Sequence, residues 1–386
     1  MALGAGLALS LGLSMQLPLM HHRASVRVTL GALRGAGTNA TPLAWPSIGS
    51  AALDIPALHV VQVWHDQVLP IASLTKMMTA YVALAHLPLT FGQTGPCHYV
   101  TAADLAEYKY EQRVGQSSVP VAVGERLCEI DLLNGLLVRS GGNYALMLAT
   151  MVAGSPTDFV TMMNAEASAL GLGSTHYDDV SGYSTLSVSN SLDQARLATL
   201  IMKSALVRAI VRQPSVTLPV AGTVASFTPF VGVGNVVGVK SGRTDAAGGC
   251  DVMAMTFRQG GVTRLAYVVV LGQRGGDLLG PAGNAAYALD SSALANRVVA
   301  TFTRSEEVGR IGWAARTVPF GFAHATQVTW WALRSSRPLV LRMRHLSGTI
   351  RAGEVVGWLR VTGTSRALAL VAQRRVSPPT IWQRLL

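Results

Sequence analysis

The chain has 386 residues, 49% of them hydrophobic and 13% charged, which is the composition of a folded globular protein and excludes an intrinsically disordered one. This length is sufficient for one large domain plus a smaller one. The formal net charge is +11, and it is concentrated in residues 301–386, which carry 13 arginines and only three acidic residues.

Residues 1–20 contain no charged side chain and predict a secretory signal peptide or an N-terminal membrane anchor. The basic residues that usually precede such an apolar run are missing, since the nearest charge, Arg23, comes after it. An ordinary buried helix is the alternative for this segment. Residues 21–48 are punctuated by Pro, Gly and Thr and predict a linker leading into the fold.

The segment 49–301 alternates between patterns typical of strands and of helices. Two β-like runs, 49–54 and 57–64, predict a hairpin. The predicted helices are residues 73–87, 101–112, 129–137, 143–153, 157–170, 191–204 and about 284–300. Three more strands, separated by Gly-rich loops, are predicted at 235–242, 250–258 and 263–272. Strands, then helices, then strands indicate an α+β domain whose sheet gathers both ends of the segment.

Residues 302–386 consist of short β-like pieces and predict a separate small, basic β domain. This segment also holds five of the seven tryptophans: Trp313, Trp330, Trp331, Trp358 and Trp382. A basic, Trp-bearing segment predicts contact with an anionic envelope surface, although a solvated face explains the charge equally well. No nucleic-acid motif accompanies the charge, so nucleic acid is not a predicted partner.

The three cysteines show neither a metal-binding spacing nor a disulfide framework. Cys97 and Cys128 are able to pair outside the cytoplasm. Cys250 follows two glycines in a strand-like run and is predicted to be a small buried hydrophobic residue. The nine histidines include no H-E-x-x-H pair, so no zinc ligand set is predicted.

Ser73-Leu74-Thr75-Lys76 is the first segment with a chemical meaning. On a helix, the spacing i, i+3 places both side chains on one face, and Ser73 then lies in the first turn, where unpaired N–H groups favour negative charge. A serine needs an adjacent base to act as a nucleophile. Lysine becomes such a base if burial or a second cation lowers its pKa, whereas arginine does not deprotonate in proteins. Taken alone, the pattern favours a capping serine with a surface lysine, because chance occurrences of this spacing are common.

Two later segments complete the set. Arg139-Ser140-Gly141-Gly142-Asn143 lies 67 residues after Ser73, counted to Ser140, between two apolar helices. Lys240-Ser241-Gly242 comes 100 residues after Ser140 and ends an apolar strand. A cation, a hydroxyl and a glycine on an edge strand offer a carboxylate clamp and permit close approach of a substrate backbone.

In this order the three segments resemble the serine penicillin-recognising enzymes, and in detail the D-alanyl-D-alanine carboxypeptidases among the low-molecular-weight penicillin-binding proteins. PIASLTKMMTAYVAL resembles the nucleophile helix of that family. GVKSGRTDAAGGC resembles its G-x-K-T-G-x-T-x-x-A-G strand and turn, and LGLGSTHYDDVSGY resembles a further family segment. The resemblance covers roughly residues 45–300 and, more loosely, the C-terminal β segment.

The resemblance implies a β-lactamase/transpeptidase-like fold, an antiparallel sheet with packed helices plus a helical lobe, and a site without metal or organic cofactor. It implies that Ser73 is acylated, that Lys76 takes its proton and that Ser140 relays a proton to the leaving amine. It further implies that Lys240 lowers the pKa of Lys76 and, with Ser241, holds the substrate carboxylate. The backbone N–H groups of Ser73 and Arg243, the residue after Gly242, would form the oxyanion hole. The implied partners are peptidoglycan stem peptides and β-lactams, met outside the cytoplasm.

Two positions depart from the family pattern. Lys-Ser-Gly replaces the commoner Lys-Thr-Gly, and both carry a hydroxyl. The loop motif is usually Ser-x-Asn, but its third position here is Gly142, with asparagine one place later at Asn143. Either Asn143 reaches the site through a shifted loop, or the substrate amide lacks a side-chain partner.

Other functions remain as alternatives. A Ser-His-Asp hydrolase would carry G-x-S-x-G, and a class A β-lactamase would carry an E-x-x-L-N segment; neither pattern is found. A β-lactamase or transpeptidase of the same fold remains open, since the choice between water and amine depends on pocket shape. A catalytically degenerate, envelope-binding relative is the non-enzyme alternative.

Overall fold

The computed structural model describes residues 24–28, 41–259, 261–303, 307–313, 316–331, 339–361 and 367–379. The described helices are α1 Thr75–His86, α2 Ala102–Arg113, α3 Glu129–Leu137, α4 Gly142–Ala153, α5 Pro156–Ala169, α6 Ser191–Ile201, α7 Ala205–Val211 and α8 Leu279–Ala295. Short 3₁₀ turns span Pro56–Leu58 and Ala72–Leu74.

The strands up to α8 are β1 Ser25–Val28, β2 Ser50–Ile55, β3 Val60–Trp64, β4 Leu69–Pro70, β5 Cys97–Tyr99, β6 Arg126–Cys128, β7 Val188–Ser189, β8 Ser215–Leu218, β9 Gly222–Ala225, β10 Val236–Thr244, β11 Gly248–Gln259 and β12 Val262–Gln273. Those after α8 are β13 Arg297–Phe302, β14 Gly309–Trp313, β15 Arg316–Phe322, β16 Thr326–Trp331, β17 Leu339–Met343, β18 Val355–Val361 and β19 Ala367–Ala372.

A five-stranded antiparallel sheet in the order β10-β11-β12-β2-β3 forms the centre of the fold. The pairing of β12 with β2 joins the two ends of the segment, as the predicted α+β arrangement requires. Successive side chains point to opposite faces of a strand. Val268 and Val270 therefore pack toward α8, while Val269 and Leu271 pack toward the helical lobe, and each face has its own hydrophobic core. The predicted fold class is confirmed.

The helical lobe is built around α1, whose first six residues are all buried. A helix that is buried all round belongs inside a lobe rather than on its surface. Helices α3, α4 and α5 contribute Leu133, Leu148 and Phe159 to the same core. Because α1 is fixed on every side, the residues at its N-terminal end are held rigidly against the sheet.

Some boundaries differ from the prediction. Ser73 lies in the 3₁₀ turn before α1 rather than in the helix itself. The predicted helix 191–204 corresponds to α6 and ends earlier, at Ile201; it is followed by a helix that was not predicted, α7, which Ser204 caps through the N–H of Val207. The predicted helix 284–300 begins earlier and stops at Ala295, since Arg297–Phe302 pairs with β16 instead.

A second sheet lies in the C-terminal part, in the order β1-β14-β15-β19-β18-β17. Its first strand, Ser25–Val28, comes from the predicted linker and pairs with Gly309–Trp313 along an open edge. Strand pairing of this kind covers an edge that would otherwise present unpaired N–H and C=O groups. The division of the chain at residues 48 and 301 stays a prediction.

Two tryptophans of this part have described side chains, and the two differ in their exposure to solvent. Trp313 is buried at 4% exposure in the core of the second sheet, whereas Trp358 is 39% exposed. The side chains of Trp330, Trp331 and Trp382 lie outside the described residues, as do residues 1–20. Among the described residues, no single helix has the length and apolarity to cross a membrane.

Cys97 and Cys128 form a disulfide between the paired strands β5 and β6. The bond joins the start of α3 to the segment that leads into α2. Cys250 is free and fully buried, as predicted.

Candidate active site

Ser73 and Lys76 are in direct contact at the junction of lobe and sheet. Lys76 Nζ donates to Ser73 Oγ at 2.9 Å. The turn that carries Ser73 is unusual, because the preceding Ala72 has a φ of +47°. Such left-handed backbone in a non-glycine residue is found mainly where a function requires it. The serine hydroxyl is thus presented half-buried, facing a base.

The surroundings of Lys76 favour its neutral form. The side chain is 1% exposed, and its second partner is the backbone carbonyl of Ser181, which accepts from Nζ at 2.7 Å. Burial lowers the pKa of Lys76 to about 8, against the opposing charges of Asp179 and Glu111. At pH 7 roughly a tenth of such lysines are neutral, compared with less than about 0.1% of free ones.

The loop that supplies the Ser181 carbonyl is fixed by Asp179. Its carboxylate accepts from the hydroxyl of Ser181 at 2.7 Å, from the hydroxyl of Ser187 at 2.6 Å and from the backbone N–H of Tyr183 at 2.8 Å. Charge-assisted bonds of this kind are the stronger ones. The loop lies in the LGLGSTHYDDVSGY segment, but the role of the Ser181 carbonyl has no signal in the sequence.

Lys240 is the second buried cation. It is fully buried in β10, and its Nζ donates to Ser140 Oγ at 2.9 Å and to the Ser241 carbonyl at 2.7 Å. Burial, and then the charge of Lys76, keep the pKa of Lys240 well below its ordinary value. The lowering of the Lys76 pKa itself comes from burial. The two lysines are therefore close enough for their charges to repel each other, and the predicted lowering of the Lys76 pKa by Lys240 stays a prediction.

Ser140 lies in the turn between α3 and α4, with a φ of +65° and 3% exposure. Its hydroxyl, on the lobe side, accepts a hydrogen bond from Lys240, and the hydroxyl of Ser73 accepts one from Lys76. The Lys240–Ser140 pair thus joins two of the predicted segments, and the Lys76–Ser73 pair lies within the third.

Strand β10 is an edge of the main sheet and lies against the Ser73 turn. A Cβ on Gly242 would stand 2.6 Å from the backbone nitrogen of Ser73, so only glycine permits this approach. The backbone of Arg243 is next along the strand, and its side chain is exposed. The Ser241 hydroxyl is turned away and donates to the Phe227 carbonyl at 2.9 Å.

Asn143 does not reach the site. Its side chain is 1% exposed, with Oδ1 accepting from Val119 N at 3.0 Å and Nδ2 donating to Val119 O at 2.8 Å. Both polar atoms are used within the lobe, so the predicted substrate contact of Asn143 is corrected to a structural one. Gly142, the position of the usual asparagine, faces Gln116 and Glu111.

A cavity of about 530 Å³ opens in front of Ser73 and Lys76. Its wall opposite β10 is made by the segment after α2, which includes Gln116 and Ser117, and by the Ser181 loop. The sequence prediction missed Gln116 and Glu111. Within the described residues, no group of three or more His, Cys, Asp or Glu is placed to hold a metal ion.

Known proteins share both the sequence pattern and the fold. The pattern of the D-alanyl-D-alanine carboxypeptidase family matches residues 60–274. The chain is 30% identical over 210 residues to a D-alanyl-D-alanine endopeptidase of Pseudomonas aeruginosa, covering 50% of this chain and 62% of that protein. It is 29% identical over 228 residues to the Escherichia coli D-alanyl-D-alanine endopeptidase, covering 55% and 69%. With the E. coli D-alanyl-D-alanine carboxypeptidase DacA the identity is 30% over 191 residues, covering 46% and 44%.

The chain thus spans 44–69% of the length of these relatives. Among solved structures, penicillin binding protein 5 of Haemophilus influenzae shares the fold with a TM-score of 0.59 and 19% identity, over 88% of this chain and 100% of that one. The Streptomyces K15 DD-transpeptidase does so with a TM-score of 0.57 and 22% identity, over 65% and 99%. The family pattern covers the Ser73, Ser140 and Lys240 segments alike, and the chain belongs to the D-alanyl-D-alanine carboxypeptidase family of low-molecular-weight penicillin-binding proteins.

Proposed function

We propose that the chain is a serine-type carboxypeptidase that removes the terminal D-alanine from peptidoglycan stem peptides through an acyl-enzyme on Ser73. The observation that carries the proposal is the 2.9 Å contact between Ser73 Oγ and the Nζ of a buried lysine, Lys76, whose pKa is lowered to about 8. A nucleophile next to a base of that pKa is what acyl transfer at neutral pH requires.

Acylation begins when Ser73 Oγ attacks the carbonyl carbon of the penultimate D-alanine and its proton passes to Lys76 Nζ. The oxyanion then forms beside the Ser73 turn, where the backbone N–H groups of Ser73 and Arg243 are the predicted donors. Such donors are typically the largest single contribution to catalysis. The close approach of Gly242 to the Ser73 nitrogen brings the two backbone segments together.

Collapse of the intermediate breaks the peptide C–N bond and releases D-alanine. The leaving nitrogen needs a proton, and Ser140, which accepts a hydrogen bond from Lys240, is the predicted relay. The proton that Lys76 took from Ser73 passes through the Ser140 hydroxyl to this nitrogen, which leaves Lys76 neutral again. Water then attacks the ester carbonyl and gives a proton to Lys76, which passes it to Ser73 Oγ as the ester C–O bond breaks, so that Ser73 is restored.

The edge of β10 accounts for substrate orientation. An extended peptide adds to an exposed edge through backbone hydrogen bonds. The terminal carboxylate would lie near Lys240, with the Ser241 hydroxyl available after it leaves the Phe227 carbonyl. A β-lactam, with its carboxylate and strained amide, would occupy the same place and acylate Ser73.

Endopeptidase activity is the second candidate. Two alignments with proteins called endopeptidases, those of P. aeruginosa and E. coli, cover 50% and 55% of this chain, compared with 46% for DacA and 34% for the endopeptidase of Haemophilus influenzae. Both activities use the same acyl-enzyme and differ in the leaving group, which is a single D-alanine for the carboxypeptidase and a second stem peptide for the endopeptidase. Mass analysis of cross-linked muropeptide dimers separates them, because only the endopeptidase converts dimers to monomers.

The disulfide between Cys97 and Cys128 supports a location outside the cytoplasm, where such bonds persist. In the C-terminal part, the exposed arginines are Arg316, Arg342, Arg344, Arg351, Arg360, Arg374 and Arg375. They support contact with an anionic envelope surface, and added salt should weaken that contact.

Labelling with a fluorescent penicillin tests the proposal. We expect the wild type to be labelled on the peptide containing Ser73, the Ser73→Ala variant to remain dark, and the exposed Ser347→Ala control to label fully. A folded wild type that takes no label would overturn the proposal in favour of a degenerate, envelope-binding protein.

A further inference from the structure

A glycine is needed at position 142 because of the neighbouring side chains, not because of its backbone conformation. Its φ is outside the left-handed region, yet a Cβ at this position would collide with Gln116 Nε2 and with Glu111 Oε1. Any larger residue here, including the asparagine usual in the family motif, would need the side chains of both Gln116 and Glu111 to shift. Gly142 and the position of Gln116 are therefore linked: the missing side chain leaves the space that the glutamine occupies.

Gln116 reaches this space from a different element. Its backbone N–H donates to the Glu111 carbonyl at 2.8 Å, which closes a turn after α2 and brings the side chain over the start of α4. There the side chain is half-buried and forms part of the wall of the cavity in front of Ser73.

The carboxamide of Gln116 has a defined orientation. Nε2 donates to Glu111 Oε1 and to Ser181 Oγ, both at 3.1 Å. Ser181 also supplies the carbonyl that accepts from Lys76 Nζ, so only one residue separates the carboxamide from the catalytic base. With Nε2 facing a carboxylate, Oε1 has no partner among the described residues and is available to accept.

Glu111 holds the Gln116 carboxamide in this orientation by hydrogen bonding. The residue is fully buried, with one carboxylate oxygen accepting from Gln116 Nε2 and the other accepting from the backbone N–H of Asn143 at 2.8 Å. It thus connects the glutamine to the first turn of α4, next to Ser140 and Gly142. Glu111 is a positioning residue, because it acts through Gln116.

We propose that the Gln116 carboxamide replaces the absent motif asparagine as the side-chain hydrogen-bond partner of a peptide amide in the substrate. The inference rests on the proposed function, since it assigns a contact to the same reaction. A peptide N–H that donates to Gln116 Oε1 would align the chain between β10 on one side and the α2–α4 wall on the other.

Removal of the carboxamide tests the contact. We expect Gln116→Ala, and the similarly sized Gln116→Met, to lower kcat/KM for a diacylated L-Lys-D-Ala-D-Ala tripeptide by about 5- to 100-fold, the range for an unpaired amide. The matched control is Gln112→Ala near the end of α2, the helix that precedes Gln116; its exposed side chain bonds Tyr108, and this variant should keep the wild-type rate. Thermal unfolding of each variant checks that the fold is retained.

Transfer of the amide to the usual position gives an independent test. Gly142→Asn alone should be slower than wild type, because asparagine and Gln116 compete for one space. Adding Gln116→Ala to Gly142→Asn removes one of the two collisions, the other being with Glu111, and should therefore raise the rate, whereas in the wild-type background the same change lowers it. This reversal of sign is not expected if Gln116 only stabilises the loop.

The outcomes separate this inference from the proposed function. If Ser73 is labelled by penicillin but Gln116→Ala and Gln116→Met both stay within about twofold of Gln112→Ala, the role of Gln116 is overturned and the enzyme stands. If the wild type is neither labelled nor active on the tripeptide, the proposed function itself is overturned.

Discussion

Lys240 Nζ donates to Ser140 Oγ at 2.9 Å, which joins two segments 100 residues apart in the chain. The contact spans the junction of the helical lobe and the edge of the main sheet. It mirrors the Lys76–Ser73 pair, so the site contains two serines, each with a buried lysine. In the proposed mechanism, the Lys76–Ser73 pair starts the reaction and the Lys240–Ser140 pair protonates the leaving group.

Replacement of Ser140 should affect peptides more than β-lactams. A peptide amine is a poor leaving group until it is protonated, and positioned proton transfer typically contributes 10²- to 10⁴-fold. Ring strain assists the opening of a β-lactam. We therefore expect Ser140→Ala to lower tripeptide turnover by at least about 100-fold, and penicillin acylation by a smaller factor. Stopped-flow acylation and D-alanine release measure the two, and equal losses would contradict the relay.

Lys76→Arg separates charge from basicity. Arginine keeps the positive charge but does not give up its proton at accessible pH. We expect the rate of penicillin acylation to fall by about 10³-fold or more, within the range for loss of a general base. Lys203→Arg, a surface lysine on the sheet side, is the matched control and should acylate at the wild-type rate. Near-normal acylation by Lys76→Arg would make Lys76 a structural residue.

The pH dependence of acylation is set by the same lysine. Burial lowers the pKa of Lys76 from 10.5 to about 8, and only the neutral amine accepts a proton. The acylation rate should therefore rise about tenfold per pH unit below 8 and level off above it. A profile that is flat between pH 6 and 9 would contradict the assignment.

Glu111 gives this profile a directional test. Its negative charge raises the pKa of Lys76, so removal of that charge lowers it. Glu111→Gln should move the midpoint of the profile to lower pH, whatever happens to the maximal rate. A profile that keeps its midpoint would show that the charge of Glu111 is not felt at Lys76.

The sequence predicted the residues that the chemistry dictates and missed those that depend on distant contacts. Lys76 and Lys240 stand out because arginine cannot replace a base, and the strand and helix patterns around them are locally consistent. Gln116 has no such signal, since its role depends on a glycine 26 positions later. Nor does any local pattern show that Ser25–Val28 pairs with Gly309–Trp313.

The end of the last helix shows the same limit. Residues 297–300 were predicted to continue the helix, yet they lie in β13 and pair with β16. Val298 and Val299 are β-branched and suit this strand, so the predicted boundary was placed too late in the chain. Ser73 lies in the 3₁₀ turn two residues before α1, and Gly242 of β10 lies against its backbone nitrogen, a contact that no local pattern shows.

The disulfide should stabilise the lobe without taking part in catalysis. Cys97 and Cys128 are 31 positions apart, and a bond that closes a loop of this size typically contributes about 2–4 kcal/mol. We expect the Cys97→Ala/Cys128→Ala double variant to unfold at lower temperature while still labelling at Ser73 below that temperature. Reductant should lower the Tm of the wild type and leave that of the double variant unchanged. The Cys250→Ala variant, which keeps the disulfide, should remain sensitive to reductant, and a wild type whose Tm ignores reductant would contradict the assigned pairing.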